Sequence, residues 1–118
     1  MARRDTREKI TISADADIVA EVKNLLNDIQ TNLYNRALDR RNELTYECQT
    51  LEEVEKIMNA KPGFVKAMWC GDEECELKMK EIRGTKSRCI LEDEKHISDK
   101  CVVCGKKAKH LVVWGIQY

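Results

Sequence analysis

Apolar side chains recur at Ile18, Val22, Leu25, Leu26, Ile29, Leu33 and Ala37, in steps of three and four residues. That spacing lays one apolar stripe along a helix. Ser13, Asp15 and Asp17 suit its start, and the pattern runs to about Arg41. Ahead of it, Arg7-Glu8-Lys9-Ile10-Thr11-Ile12 alternates polar and apolar positions, as a short half-buried strand would. A strand and one long helix do not enclose a core, so this piece is expected to lean on something else.

The pattern changes after the helix. Tyr46-Glu47-Cys48 starts a short strand, and Thr50 with Glu53 three residues later marks a capping box for a helix from Leu51 to about Asn59. Lys61-Pro62-Gly63 is a turn. Phe64 to Cys70 reads as an apolar strand, Asp72 to about Ile82 as a helix closed by Gly84, and Ser87 to Leu91 and His110 to Trp114 as two further strands. Glu92 to Lys100 reads as a solvated loop. The order β-α-β-α-β-β predicts an α+β, two-layer sandwich with its helices on one face of a mixed sheet. The strand and long helix precede it.

Charge narrows the function classes. Charged residues make up 36% of the chain, yet 21 basic residues balance 21 acidic ones. A general nucleic-acid binder needs a basic excess, because phosphate contacts dominate its affinity. No apolar run approaches the roughly 18 to 20 residues that a membrane span requires, and Met1 to Asp5 has no apolar segment behind it. A soluble, cytoplasmic protein is expected. In a reducing compartment, six cysteines point to metal ligands before disulfides.

Four of them have metal-ligand spacing. Cys70 and Cys75 enclose four residues, Cys101 and Cys104 enclose two, and twenty-five separate the pairs. Each pair can reach one metal from a single turn, and the loop between brings the turns together. Gly71 follows the first ligand and Gly105 the last, where glycine lets the backbone turn tightly. Lys106, Lys107 and Lys109 would offset the charge of four thiolates. The plain alternative is buried free thiols; a redox dithiol or iron–sulfur site would need a cofactor context that the sequence does not show. Four thiolates leave no open position, so the expected zinc is structural rather than catalytic.

Cys48 and Cys89 are expected to be small buried hydrophobes, His96 an exposed loop residue, His110 a strand-edge residue, and Trp69 and Trp114 core. No phosphate loop, His-Glu-x-x-His pair or nucleophile elbow is present. Asp72-Glu73-Glu74 reads as the favourable acidic first turn of a helix.

Taken in order, several segments resemble the C-terminal end of the archaeal and eukaryotic type of prolyl-tRNA synthetase. They are Arg3 to Lys9, Cys70-Gly71, Cys75, Gly84 to Ile90, Cys101 to Lys106, and the ending Trp114-Gly115-Ile116-Gln117-Tyr118. The resemblance covers nearly the whole chain, although a proline common after the Ile90 position is missing. It implies zinc on Cys70, Cys75, Cys101 and Cys104, and a domain folded like the C-terminal domain of bacterial translation initiation factor three. It also implies that the carboxylate of Tyr118 reaches towards the proline-activation site. Residues 1–43 would be the last strand and helix of an anticodon-binding domain, with Arg3 and Arg4 on the tRNA side, and residues 44–118 the zinc-binding C-terminal domain.

The implied parent is a class II ligase that attaches proline to its tRNA through prolyl-adenylate. ATP and magnesium would bind only in a catalytic domain whose motifs this chain lacks, so the piece alone is expected to be inactive. Its implied partners are the parent's catalytic and anticodon-binding domains and, through the parent, proline tRNA; a homodimeric parent is expected. The competing reading is a free-standing zinc module that binds RNA or protein. Cysteine spacing suits both, but the ordered motifs and the terminal tyrosine suit only the first.

Overall fold

The computed structural model describes residues 1–118, which divide into two compact units, Met1–Asn42 and Glu43–Tyr118.

In the first unit the chain doubles back at once. The Arg3 amide donates to the Glu8 carbonyl at 2.8 Å and the Ile10 amide to the Met1 carbonyl at 2.7 Å. The strand expected over residues 7–12 does not form. Ala2 and Lys9 make one isolated antiparallel bridge, and Arg7 sits at φ +64° in the intervening turn. A left-handed residue interrupts an extended run, and the alternating pattern of Ile10 and Ile12 lacks a sheet to join. Arg3 instead grips Asp5 bidentately, with Nε and Nη2 donating at 3.1 and 2.9 Å. Asn32 adds a donor to the same carboxylate at 2.7 Å, pinning the turn to helix α1, Ile18–Glu43. Asp17 caps that helix by accepting the Ala20 amide at 3.1 Å. No α1 residue is fully buried: Leu25 and Ile29 are half-covered, while Leu26 and Leu33 of the expected stripe are exposed.

The second unit is the expected α+β sandwich. Its elements are β1 (Thr45–Glu47), α2 (Leu51–Ala60), β2 (Phe64–Trp69), α3 (Glu73–Glu81), β3 (Thr85–Ile90) and β4 (His110–Ile116). The sheet order is β1-β2-β4-β3, with β1 parallel to β2 and the other pairs antiparallel. A parallel pair needs a crossover, and α2 supplies it. Thr50 and Glu53 form the expected capping box. The following turn needs glycine for a different reason: a Cβ at Gly63 would stand 2.2 Å from the Leu44 carbonyl oxygen.

Alternation along the strands separates two cores. On the helix side, Val65, Ala67, Val112 and Trp114 pack against Val54, Met58 and Met79. Trp114 is fully buried, and its indole N–H donates to the Ala67 carbonyl at 3.4 Å. On the other side, Met68, Ala108 and Leu111 lie beneath Leu91 and Ile97, from the long β3–β4 connection. That connection is therefore only partly a solvated loop.

Candidate metal centre

The ends of four segments meet where β2 stops, α3 begins and the β3–β4 connection returns to β4. Cys70 follows β2, Cys75 lies in the first turn of α3, and Cys101 and Cys104 flank a tight turn before β4. Their sulfurs all lie within 4.8 Å of one another. The Cys70–Cys75 separation is 3.6 Å and the Cys70–Cys104 separation 3.8 Å. Four sulfurs about 2.3 Å from one zinc stand about 3.8 Å apart, so the set fits a closed tetrahedral site. Cys70, Cys75 and Cys101 are buried and Cys104 is exposed; all remain free thiols.

Two turns of the same design build the site. In Cys70-Gly71-Asp72 and Cys104-Gly105-Lys106, glycine adopts positive φ, +96° and +71° respectively. The turn returns the amide two residues on to the sulfur: Asp72 donates to Cys70 and Lys106 to Cys104. Such N–H···S bonds favour the thiolate. The lysine amide, opposed by desolvation, brings Cys104 down to about 7. Burial acts the other way, raising Cys70 despite its amide donor and raising Cys75 strongly. Burial thus favours the protonated form at Cys70 and Cys75, and a bound cation would reverse that preference.

Backbone ties brace both turns. Cys101 donates to the Lys106 carbonyl at 2.8 Å, Gly105 to the Cys101 carbonyl at 3.0 Å, and Lys109 to the Trp69 carbonyl at 2.9 Å. The Trp69 indole N–H donates to the Asp72 carbonyl at 3.1 Å. Trp69 is half-buried and packs against the helix-side core; it faces Trp114 edge-on at 6.2 Å and His110 at 6.0 Å.

His110 lies at the end of its strand, as the first residue of β4; it pairs with Trp69 of β2, and the β3 ladder ends at Val112. His96 is exposed, as expected. Cys48 is buried, and its thiol is pushed up to about 11 by desolvation and the nearby Glu53 charge. Cys89 departs from expectation: it is exposed on the outer strand, where the β3–β4 register shifts between Ser87 and Cys89. Lys106, Lys107 and Lys109 are exposed around the site, and the backbone amide of Lys106 makes the direct contact. The repeated Cys-Gly-x triplet signalled both turns, but the Trp69 brace had no signal in the sequence.

Elsewhere nothing converges for catalysis. A groove of about 340 Å³ between β1 and α2 is lined by Tyr46, Glu53, Lys56 and Ile57. Its carboxylate is already engaged, since Glu53 accepts the Gln49 and Thr50 amides and is held below the usual range by them. Of the possible tRNA-side residues, Arg3 is committed to Asp5 and Arg4 is exposed. No helix is long and apolar enough to cross a membrane. Tyr118 is fully exposed at the end of the chain described.

Residues 51–118 match the family described as "Prolyl-tRNA synthetase, C-terminal". The chain is similar throughout its length to proteins named "Proline--tRNA ligase". It is 48% identical to that of Clostridium novyi over 100% of this chain and 24% of the relative. It is 47% identical to those of Clostridium botulinum and Ruminiclostridium cellulolyticum over the same shares. The chain thus spans about a quarter of the length of these bacterial relatives, 24%.

Proposed function

Because the chain belongs to the prolyl-tRNA synthetase C-terminal family, we propose that it is the zinc-holding module of an enzyme that attaches proline to its tRNA. The parent reaction would run through prolyl-adenylate, with ATP and magnesium bound in a class II catalytic domain outside this chain. Residues 1–43 would close the anticodon-binding domain and residues 44–118 form the C-terminal one. The catalytic and anticodon-binding domains and proline tRNA are the partners of this reading, in a homodimeric parent.

The observation that carries it is the gathering of four thiols whose spacing suits zinc, in a chain of this family. Zinc held there would cross-link the end of β2, the start of α3 and the turn before β4. Its role is structural, because four thiolates occupy every position of a tetrahedral ion. Cys70, Cys75, Cys101 and Cys104 are the ligands of this proposal.

Tyr118 follows directly from the element that this cross-link steadies, since β4 begins six residues after Cys104 and ends at Ile116. In the proposed role its carboxylate supports the proline-activation site of the catalytic domain. Arg4, exposed where Arg3 is engaged, is the better placed of the pair for a phosphate of the tRNA.

Removing Tyr118 from the full-length synthetase tests this role. Proline-dependent ATP–pyrophosphate exchange should fall much more than tRNA affinity. Exchange equal to that of the intact enzyme would remove Tyr118 from the mechanism.

A further inference from the structure

We infer that Arg88 is a positioning residue for Tyr118: its guanidinium clamps the end of β4 and sets the direction in which the terminal residue leaves the sheet. The inference rests on the proposed role of Tyr118.

The clamp begins with a bulge. Ser87 pairs with Trp114 but Cys89 pairs with Val113, so Arg88 is an extra residue with no partner of its own on β4. A bulge re-aims a side chain out of the regular alternation. Arg88 accordingly lies across the neighbouring strand at Gly115. A Cβ at Gly115 would stand 3.3 Å from Arg88 Nε and 3.3 Å from Phe64 Cδ1. Glycine thus leaves room beside β4 for both the guanidinium and the aromatic ring.

From there Nη2 donates to two successive carbonyls, Gly115 at 3.3 Å and Ile116 at 2.7 Å. Next to the Thr85–Ile116 pair of the β3–β4 ladder, the Gln117 amide donates to the Gly84 carbonyl at 3.3 Å. Residues 115–117 are therefore held by the Arg88 side chain and by the Gly84 carbonyl, and Tyr118 stands beyond those ties, fully exposed. Holding the tail up to Gln117 removes freedom that docking of Tyr118 would otherwise have to remove. Ordering about one residue of backbone corresponds to about tenfold in an equilibrium or rate.

A double-mutant cycle in the full-length synthetase tests the clamp. Arg88→Met keeps the aliphatic stem and loses the donors, and should reduce kcat/KM for proline in pyrophosphate exchange by about tenfold. Zinc content and melting temperature should stay close to those of the intact enzyme. Arg88→Lys, with an ammonium donor, should recover part of the loss. Gly115→Ala, which crowds the guanidinium without removing it, should lower activity in the same direction. In an enzyme already lacking Tyr118, Arg88→Met should cost nothing further.

An equal loss with or without Tyr118 would overturn the clamp, because Arg88 would then act on something else. So would a harmful Tyr118 deletion beside a harmless Arg88→Met, and in that case the role of Tyr118 would stand. If deleting Tyr118 changes nothing, its role falls and the clamp falls with it.

Discussion

The amide of Val102, between the last two cysteines, donates to the carbonyl of Met68 at 2.9 Å. The turn that carries half of the candidate site is thereby stitched to β2 by a bond that needs no metal. Lys109 makes the next tie, to Trp69. The sheet thus ties the turn before β4 to β2, and a metal on the four sulfurs would add a cross-link beside these bonds.

Metal removal should therefore weaken the second unit sharply while leaving its helix-side core in place. A free ion a thousandfold above its Kd stabilises by about 4 kcal/mol, worth roughly 15–30 °C in a domain of this size. Differential scanning calorimetry with and without a strong chelator should show a drop of that order. Amide exchange at Val102 and Cys101 should accelerate most. An unchanged melting temperature, with zinc shown by elemental analysis to be present beforehand, would contradict a stabilising site.

Cys75→Ala and Cys48→Ala should separate ligand from core. Both thiols are buried, but only Cys75 belongs to the four-sulfur group. After loading with cobalt(II), the sulfur-to-metal charge-transfer band should be lost in Cys75→Ala and kept in Cys48→Ala. The latter should still lose on the order of 1 kcal/mol through the small void it leaves. Acid should release the metal from the intact protein, because burial raises the Cys70 and Cys75 pKa values and protons compete for the same sulfurs.

Gly63→Ala should be among the costliest single substitutions of the second unit. Its new methyl would meet the Leu44 carbonyl oxygen at 2.2 Å, and the same oxygen accepts the Phe64 amide at 2.7 Å. Relief means breaking the start of the parallel β1–β2 pair. Urea denaturation should register a loss of roughly 2–4 kcal/mol, in the upper range for point substitutions.

The Asp5 carboxylate gives the first unit an acid limit. The hydrogen bonds from Arg3 hold its pKa well below the model-peptide value, helped by Asn32. A depressed folded pKa contributes stability that is complete above the unfolded value near 3.8 and is lost as pH falls below it towards the folded pKa. Exchange protection of the Arg3 and Ile10 amides should therefore hold at neutral and mildly acid pH. It should decline only below about pH 4. Asp5→Asn should lower the protection at neutral pH and flatten this acid dependence; unchanged protection would mean that the carboxylate does not hold the turn.

The two helices of the sandwich, the Thr50 cap and the pairing of the cysteines were legible in the sequence because each is set within a few residues. Helical spacing, a side chain that reaches the third amide along, and a Cys-Gly-x turn are all short-range devices. Long-range pairing decided the rest. Composition does not reveal that β4 lies between β2 and β3. The alternation over residues 7–12 describes a strand only if another strand lies beside it, and the turn at Arg7 denies it one. The bulge at Arg88 lays the guanidinium across Gly115, a contact between residues twenty-seven apart in the chain. Local chemistry chose the candidate ligands and the caps. The order of the strands decided which side chains they meet.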